Sequence, residues 1–385
     1  MGTDPASAHW LGFSSAHFER TPWAVAAGAM FTNLNRSAIC DFVSSLRGGV
    51  ACEVTPQFTN GTQHLVIEVS FADNLQWIAR LKIKRAETQN DNEGSVDQEV
   101  SVMRIVRKRT QIPVPEVYAW DSGSKNVFGA PYILMEALKG QQIIRTHALF
   151  QKFKAKILDQ MTHILMELST IQFETIGDIE HFDGESVTFG TPAFTSARDF
   201  YTYQLDQDLQ KVDSIPIDER EVYILENERC RRLLNQIQLT DGPYPLTHWD
   251  FGIFNVLIDE SGNIVGVIDW SGSGSYPWEV FSQFPEPLRI TWPRRALYSD
   301  DRWMEIMEDQ RYFEGALRKC EEQRNMAPVV SSLIGSESKL IAEAVLGIDT
   351  AWRKRWMVLV EGIELKTKEP SYTPGSITFE DAREM

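Results

Sequence analysis

Residues Leu246–Trp270 read LTHWDFGIFNVLIDESGNIVGVIDW, and three polar residues stand at set distances among apolar neighbours. Asp250 follows His248 by two positions, Asn255 follows Asp250 by five, and Asp269 closes the next apolar run. The turn Glu260-Ser261-Gly262-Asn263 separates two β-rich runs, Asn255–Ile258 and Ile264–Trp270. A Gly/Asn turn between such runs signals a β-hairpin. A hairpin brings its ends together, so Asn255 and Asp269 are expected side by side, with Asp250 looking out from the loop before the first strand. A carboxylate and an amide oxygen in one place suit a hard divalent cation such as Mg2+. A second carboxylate one loop away can orient a hydroxyl and accept its proton. Those two tasks together describe phosphoryl transfer. Taken singly, each residue also reads as a turn cap or strand end in a buried polar hairpin.

The spacing H-W-D-x-x-x-x-N followed by I-D-W sits close to the protein-kinase pattern H-R-D-x-x-x-x-N followed by D-F-G. Trp249 in place of Arg, and Asp269-Trp270 in place of D-F-G, point away from protein kinases. The stretch resembles the aminoglycoside phosphotransferase and choline kinase-like family, whose loop reads H-x-D-x-x-x-x-N and whose metal-binding Asp precedes a Trp. The flanks Tyr244–His248 and Ser275–Glu279 look like the fungal branch of that family. The resemblance implies an α+β, two-lobed protein kinase-like fold. A small antiparallel-sheet lobe (1–138) would grip the nucleotide. A larger, mainly helical lobe (139–385) would carry the catalytic hairpin and the substrate pocket.

The chain has 385 residues, enough for two units with sizeable cores. Its net charge of −16 argues against a general nucleic-acid binder, which needs a basic face. The four cysteines, Cys40, Cys52, Cys230 and Cys320, are scattered and read as reduced buried thiols. The N-terminal MGTDPASAHW lacks a basic start and an apolar core, so no secretory signal is expected. No run approaches the ~20 apolar residues of a membrane helix. A soluble cytoplasmic protein is expected, with no membrane or nucleic-acid partner; oligomeric state is not legible.

Along the chain, Trp10, Phe13, Phe18 and Trp23 are expected to pack onto the body. Residues Asn35–Arg47 read as an outer helix with Ile39, Phe42, Val43 and Leu46 on its stripe. Strands are expected at Val54–Phe58, Thr62–Phe71 and Gln76–Lys84. The turn at Asn60-Gly61 would cover phosphates in a kinase-like lobe, through Gly61 and Thr62. Taken alone it reads first as a plain hairpin turn, because it has one glycine rather than G-x-G-x-x-G and bulky residues, Thr62-Gln63-His64, follow it. Trp77-Ile78-Ala79-Arg80 aligns with the kinase V-A-I-K, putting Arg80 where a phosphate-gripping Lys sits. Lys82 shares its strand face and stays a rival. A polar loop, Thr88–Gly94, precedes Ser95-x-x-Gln98, a capping box that opens a helix to about Arg109. Its stripe is Val96, Val100, Met103 and Val106, and Glu99 at the stripe's edge can reach back to Arg80.

Strands at Glu116–Trp120 and Pro131–Met135 follow, and Glu136–Gly140 leaves the sheet. The resemblance implies that backbone groups of Glu136 and Leu138 bind adenine there. A long helix over Ala148–Phe173, a loop-rich Asp178–Phe194 and helices near Ser196–Val212 and Glu219–Gln238 lead to the hairpin. Ser271–Ser275 reads as a flexible linker, Pro277-Trp278-Glu279 as an aromatic anchor, and Asp301–Lys366 as helical with Trp352 and Trp356. The tail Glu369–Met385 is turn-rich.

The expected activity is transfer of the γ-phosphate of ATP to a hydroxyl of a small molecule. Asp250 would act as base, Asn255 and Asp269 as Mg2+ ligands, and Arg80 as phosphate grip held by Glu99. Two other outcomes stay open: a kinase-fold binding or regulatory protein without turnover, and a nucleotide-dependent enzyme modifying a non-hydroxyl acceptor. The acceptor itself is not legible.

Overall fold

The computed structural model describes residues 21–83, 95–144, 146–286, 288 and 299–346. The expected packing of Trp10, Phe13 and Phe18, the loop Thr88–Gly94, Lys84, Trp352, Trp356 and the tail all lie outside these residues. The chain divides into two compact units. One holds residues 1–160, 178–190 and 248–274, the other 161–177, 191–247 and 275–385.

The first unit is built on a five-stranded antiparallel sheet, β1 (Cys52–Asn60), β2 (His64–Phe71), β3 (Gln76–Lys82), β4 (Val117–Asp121) and β5 (Tyr132–Glu136). The strands lie in the order β1-β2-β3-β5-β4. Alternation along β3 sends Trp77, Ala79 and Leu81 into a core with Leu65, Ile67 and Val69 of β2. Ile39 and Val43 from helix Arg36–Leu46 complete that side. Phe42 packs against the same core, whereas Leu46, expected on the stripe, is exposed near the helix end. The opposite alternation turns Ile78 and Arg80 toward helix Val96–Arg109. That helix begins in the expected capping box: Ser95 Oγ accepts from Gln98 N and Gln98 Oε1 from Ser95 N. Its stripe Val96, Val100, Met103 and Val106 is buried.

The stretch Leu246–Trp270 holds the expected hairpin. Val256–Ile258 pairs antiparallel with Ile264–Val267, and a two-residue strand β6 (Gln141–Gln142) lies along the first of them. Asp259 makes the turn, its carboxylate accepting from the backbone of Ser261 and Asn263 and from the Asn263 amide. Gly262 sits there at φ +76, and a Cβ on it would fall 2.5 Å from the Phe153 ring.

Several expectations are corrected. A helix over Pro22–Thr32, capped by Thr21 with Pro22 at its first turn, precedes the outer helix. The long helix runs Ala148–Leu168, with a kink at Phe153, and stops short of Phe173. Ser169 and Thr170 hydroxyls bond back to the carbonyls of Met166 and Glu167, and Gln172–Phe173 pairs with Tyr244 and Pro245 as strand. The segment read as loop-rich at Asp178–Phe194 contains a second hairpin, Gly177–Phe182 against Val187–Phe189, turned by Asp183 and Gly184. Ser271–Ser275 is no open linker: Ser273 and Ser275 are buried and Gly274–Ser275 is a short strand.

In the second unit the helices are Ala197–Leu209, Arg220–Leu234, Trp278–Phe281, Asp300–Gln323, Val329–Leu333 and Glu337–Leu346. Trp278 anchors its segment as expected, its indole donating to the Pro243 carbonyl at 3.0 Å. The four cysteines are free thiols. Among the described residues no helix is long and apolar enough to cross a membrane.

Candidate active site

The first unit encloses a cavity with about 1150 Å3 of empty space, part of it open to solvent. Arg80, Glu99, Asn255 and Asp269 line one side, with Asn60, Gly61 and His64 from the β1–β2 connection. Met135, Glu136, Leu138, Gly140 and Leu257 line another. Of the residues singled out in the sequence, Arg80, Glu99, Asn255, Asp269, Gly61, Glu136 and Leu138 therefore meet in one place. Thr62 and Asp250 are not part of the lining, and neither is Lys82, although it shares the Arg80 strand.

Arg80 is the centre of the charged side. Its guanidinium donates to Glu99 Oε1, to Asp269 Oδ1 at 2.5 Å, to Ser271 Oγ at 3.2 Å and to His64 Nδ1 at 3.1 Å. Burial opposes the charge on Arg80, but the Glu99 and Asp269 carboxylates outweigh it and raise its pKa above the ordinary value. Burial dominates at Glu99 and pushes its carboxyl up, against the pull of Arg80 and the Ser271 hydroxyl. At Asp269 burial also works against the charge, yet the Arg80 guanidinium beside it holds the carboxyl below its ordinary value. Ser271 Oγ donates to Glu99 Oε2 at 3.1 Å, so it ties the helix carboxylate to the segment after Asp269.

Asp269 lies at φ +61, a left-handed conformation that Asp and Asn adopt more readily than most residues. Trp270, fully buried, donates its indole N–H to the Val267 carbonyl and stacks near His248 at 4.5 Å. His248 Nε2–H donates to the Ile268 carbonyl at 3.1 Å, tying the loop before Asp250 to the strand before Asp269. Burial pushes the His248 pKa down, so the ring is held neutral. Asn255 Nδ2 donates both to the Asp250 carbonyl at 2.8 Å and to Asp250 Oδ2 at 3.1 Å. The Asn255 carbonyl in turn accepts from Ile268 N at 2.9 Å. The hairpin thus sets Asn255 between exposed Asp250 and cavity-facing Asp269.

These donors fit a hard cation. Asn255 spends its amide nitrogen on Asp250, which leaves its side-chain oxygen as the atom a cation can use, and Asp269 adds a carboxylate kept ionised. Among the described residues no group of three His, Cys, Asp or Glu stands together as a metal site.

The β1–β2 connection is built differently from a phosphate-cradling loop. Gly61 N–H already donates to the His64 carbonyl at 3.0 Å, and Gly61 is not at positive φ. At the far side, Glu136 N–H donates to the Glu116 carbonyl, whereas the Leu138 backbone has no hydrogen-bond partner among the described residues. Close approach there depends on glycine. A Cβ on Gly140 would lie 2.6 Å from Val265, and one on Gly266 would lie 2.7 Å from Leu138. His64 and Ser271 are the site residues that the sequence did not flag. His64 was read only as a bulky residue after the turn, and Ser271 as linker.

The family model described as the phosphotransferase enzyme family matches residues 56–279. Altered inheritance of mitochondria protein 9 of Clavispora lusitaniae is 23% identical over 134 residues, which is 33% of this chain and 22% of that protein. A subtelomeric hrmA-associated cluster protein of Aspergillus fumigatus is 31% identical over 84 residues, 22% of this chain and 16% of that protein. The matches thus span about a fifth of the length of these curated relatives. Among solved structures, a thermostable mutant of aminoglycoside phosphotransferase APH(4)-Ia, in ternary complex with AMP-PNP and hygromycin B, superposes with a TM-score of 0.53 at 15% identity. That superposition covers 84% of this chain and 98% of the other. A Thermobifida fusca YX-ER1 protein solved under the designation fructosamine-3-kinase gives 0.51 at 14% identity, covering 86% and 99%. These likenesses establish an α+β, protein kinase-like fold. With the hairpin, the capped helix and all but the first residues of the sheet inside the matched region, the chain belongs to the phosphotransferase enzyme family.

Proposed function

We propose that the protein transfers the γ-phosphate of ATP to a hydroxyl group of a small molecule. One observation carries the reading: Arg80, Glu99, Asn255 and Asp269, drawn from a strand, a helix and both ends of a hairpin, line a single cavity. The division into a nucleotide-gripping part up to residue 138 and an acceptor-binding part beyond it, and the affinity to a fungal branch, belong to the same proposal.

Arg80 grips phosphate oxygens with a planar fork, held in aim by Glu99 and Ser271. Asn255 and Asp269 would hold Mg2+, which when bound would supply positive charge against the phosphate oxygens. The Leu138 N–H, which has no partner among the described residues, and the carbonyl of Glu136 take the adenine edge. Asp250 lies exposed, outside the cavity wall, where an acceptor hydroxyl can approach. Asn255 fixes Asp250 through Oδ2, so Oδ1 is the atom left to take the hydroxyl proton. His248 does not exchange protons. It is buried, neutral and committed to Ile268, and it braces the Asp250 loop.

The AMP-PNP and hygromycin B named with the superposed structure are ligands of that protein and support a nucleotide and a small acceptor here. Incubation with ATP, Mg2+ and a panel of hydroxyl metabolites, read by phosphorus NMR, tests the proposal. A phosphate ester is expected. Asp250→Asn should lower turnover by ~10²–10⁴-fold with folding unchanged. Turnover equal to that of the unaltered protein in Asp250→Asn removes the base assignment. ATP binding without any product across the panel favours a binding protein, and an acyl phosphate or phosphoramidate favours another acceptor.

A further inference from the structure

We propose that Cys40 and Cys52 are a redox modification site, two thiols that join in a reversible intramolecular disulfide under mild oxidation. Neither residue has a part in the phosphoryl transfer proposed above, and the site stands whether or not that reading does. Cys40 lies on the outer helix Arg36–Leu46, and Cys52 opens β1. Gly48 and Gly49, at φ +66 and +92, reverse the chain between them. Glycine takes such left-handed conformations without a Cβ penalty, so the return from helix to strand is short. Gly49 N–H donates to the Ser44 carbonyl at 2.9 Å and closes the helix end, while Ala72 N–H donates to the Ala51 carbonyl and seats the returning chain on the sheet. Cys52 thereby arrives beside the helix turn that begins at Cys40.

The Cys52 thiol donates to the Cys40 carbonyl at 3.4 Å, and the Cys40 thiol is itself a hydrogen-bond partner of Cys52. A disulfide joins Cβ atoms about 3.5–4.5 Å apart, so its partners must already be neighbours in the fold, as these two are. Both side chains pack against the core of the sheet, yet both are only half-buried, so a small oxidant can reach them. Cys230 and Cys320 are buried. Burial, and the Cys40 sulfur beside it, push the Cys52 thiol up to about 11, so it stays protonated near neutral pH. The thiolate is the nucleophile, which leaves Cys40 to attack first. With hydrogen peroxide, the Cys40 sulfur attacks one oxygen, the O–O bond breaks, and the leaving hydroxide takes up the proton that Cys40 gave up. Cys40 is then a sulfenic acid. The Cys52 sulfur attacks the Cys40 sulfur, the S–O bond breaks, and the hydroxyl leaves with the Cys52 proton as a second water. The two thiols give up two electrons, and one peroxide takes them.

The experiment is thiol mapping by mass spectrometry of the reduced full chain after one equivalent of hydrogen peroxide, alkylation and digestion. The expected product links the peptides of Cys40 and Cys52, lighter by two hydrogen atoms, while Cys230 and Cys320 are alkylated. Dithiothreitol should restore both thiols. In Cys52→Ser, dimedone should trap a sulfenic acid on Cys40, and in Cys40→Ser, Cys52 should remain open to alkylation. The unaltered chain decides the linkage by itself, so a variant that folds poorly does not blunt the test. Separate alkyl groups or sulfinic acids on Cys40 and Cys52, with no linkage, overturn the proposal. Linkage to Cys230 or Cys320, linkage between two chains, or linkage that forms only in urea overturns it as well.

Discussion

The two sides of the cavity are held together by opposite means. On the side of Arg80, charged and polar atoms satisfy one another: one guanidinium meets two carboxylates, an imidazole and a hydroxyl. On the side of Leu138, carbon packs on carbon, so closely that Gly140 and Gly266 have no room for a methyl group. The charged side is strong only while it is complete, because a buried charge without its partner is costly. The apolar side fails by crowding instead. On one side residues from four distant segments arrive together, while on the other the connection at Leu138–Gly140 packs on the hairpin strands.

The largest break in that contrast comes from Arg80→Met. It leaves Glu99 buried beside Asp269 with no cation, and urea unfolding at pH 8 should show a loss of about 3 kcal/mol. The loss should shrink as pH falls, because Glu99, whose pKa already stands above its ordinary value, takes up a proton and the repulsion disappears. A loss that stays constant from pH 8 to pH 5 contradicts a buried ionised pair. Gly140→Ala comes next. Its Cβ would press on Val265 and Leu257, and overpacking of this kind costs about 1–3 kcal/mol, visible as a lowered Tm with ATP affinity weakened in parallel.

A smaller effect separates neutral from ionised residues within the site. The folded-state pKa of His248 lies below the ordinary 6.5, so its contribution is fully present above that value. It is lost as pH falls from there through the lowered pKa. Unfolding free energy of the unaltered protein should therefore decline below pH 6.5 more steeply than that of His248→Gln, which retains a donor for Ile268 and does not titrate. Parallel slopes would show that the ring is charged or exposed. The smallest effect belongs to Gly61→Ala. Nothing lies within 4 Å of the added methyl group, and the position is not at positive φ. Stability should be unchanged or rise by up to about 0.5 kcal/mol. A large loss there would mean that the turn has a close neighbour when it is occupied.

What the sequence made legible follows the same division. The hairpin, the capping box at Ser95 and the inward Glu99 were readable because each is set by local spacing: a turn between β-rich runs, Ser and Gln three apart, a carboxylate on a helical stripe. Arg80 was readable from its strand motif, and only its place in the cavity lining separates it from Lys82 on the same strand face. His64 and Ser271 were not readable, since both act through Arg80, and residues 64, 80 and 271 are joined only by folding. Ser271–Ser275 misled by composition: small polar residues suggest a solvated linker, yet here they fit where larger ones cannot. The hairpin at Gly177–Phe189 was a different kind of miss. Its Asp183-Gly184 turn and alternating flanks were present in the sequence and were read as loop. The helix at Pro22–Thr32 likewise had its signal, a Thr cap followed by Pro, in plain view.

The left-handed backbone at Asp269 limits how this position can be varied. A side chain there must serve as a ligand and also tolerate a conformation that costs most L-residues about 1–2 kcal/mol. Asparagine keeps the shape and removes the charge, whereas alanine or valine would merge two separate injuries into a single phenotype. A mutational scan of residue 269 is thus sorted by backbone geometry before chemistry is ever consulted. Glycine, inert as a ligand, relieves the backbone at this position but takes a carboxylate away from buried Arg80.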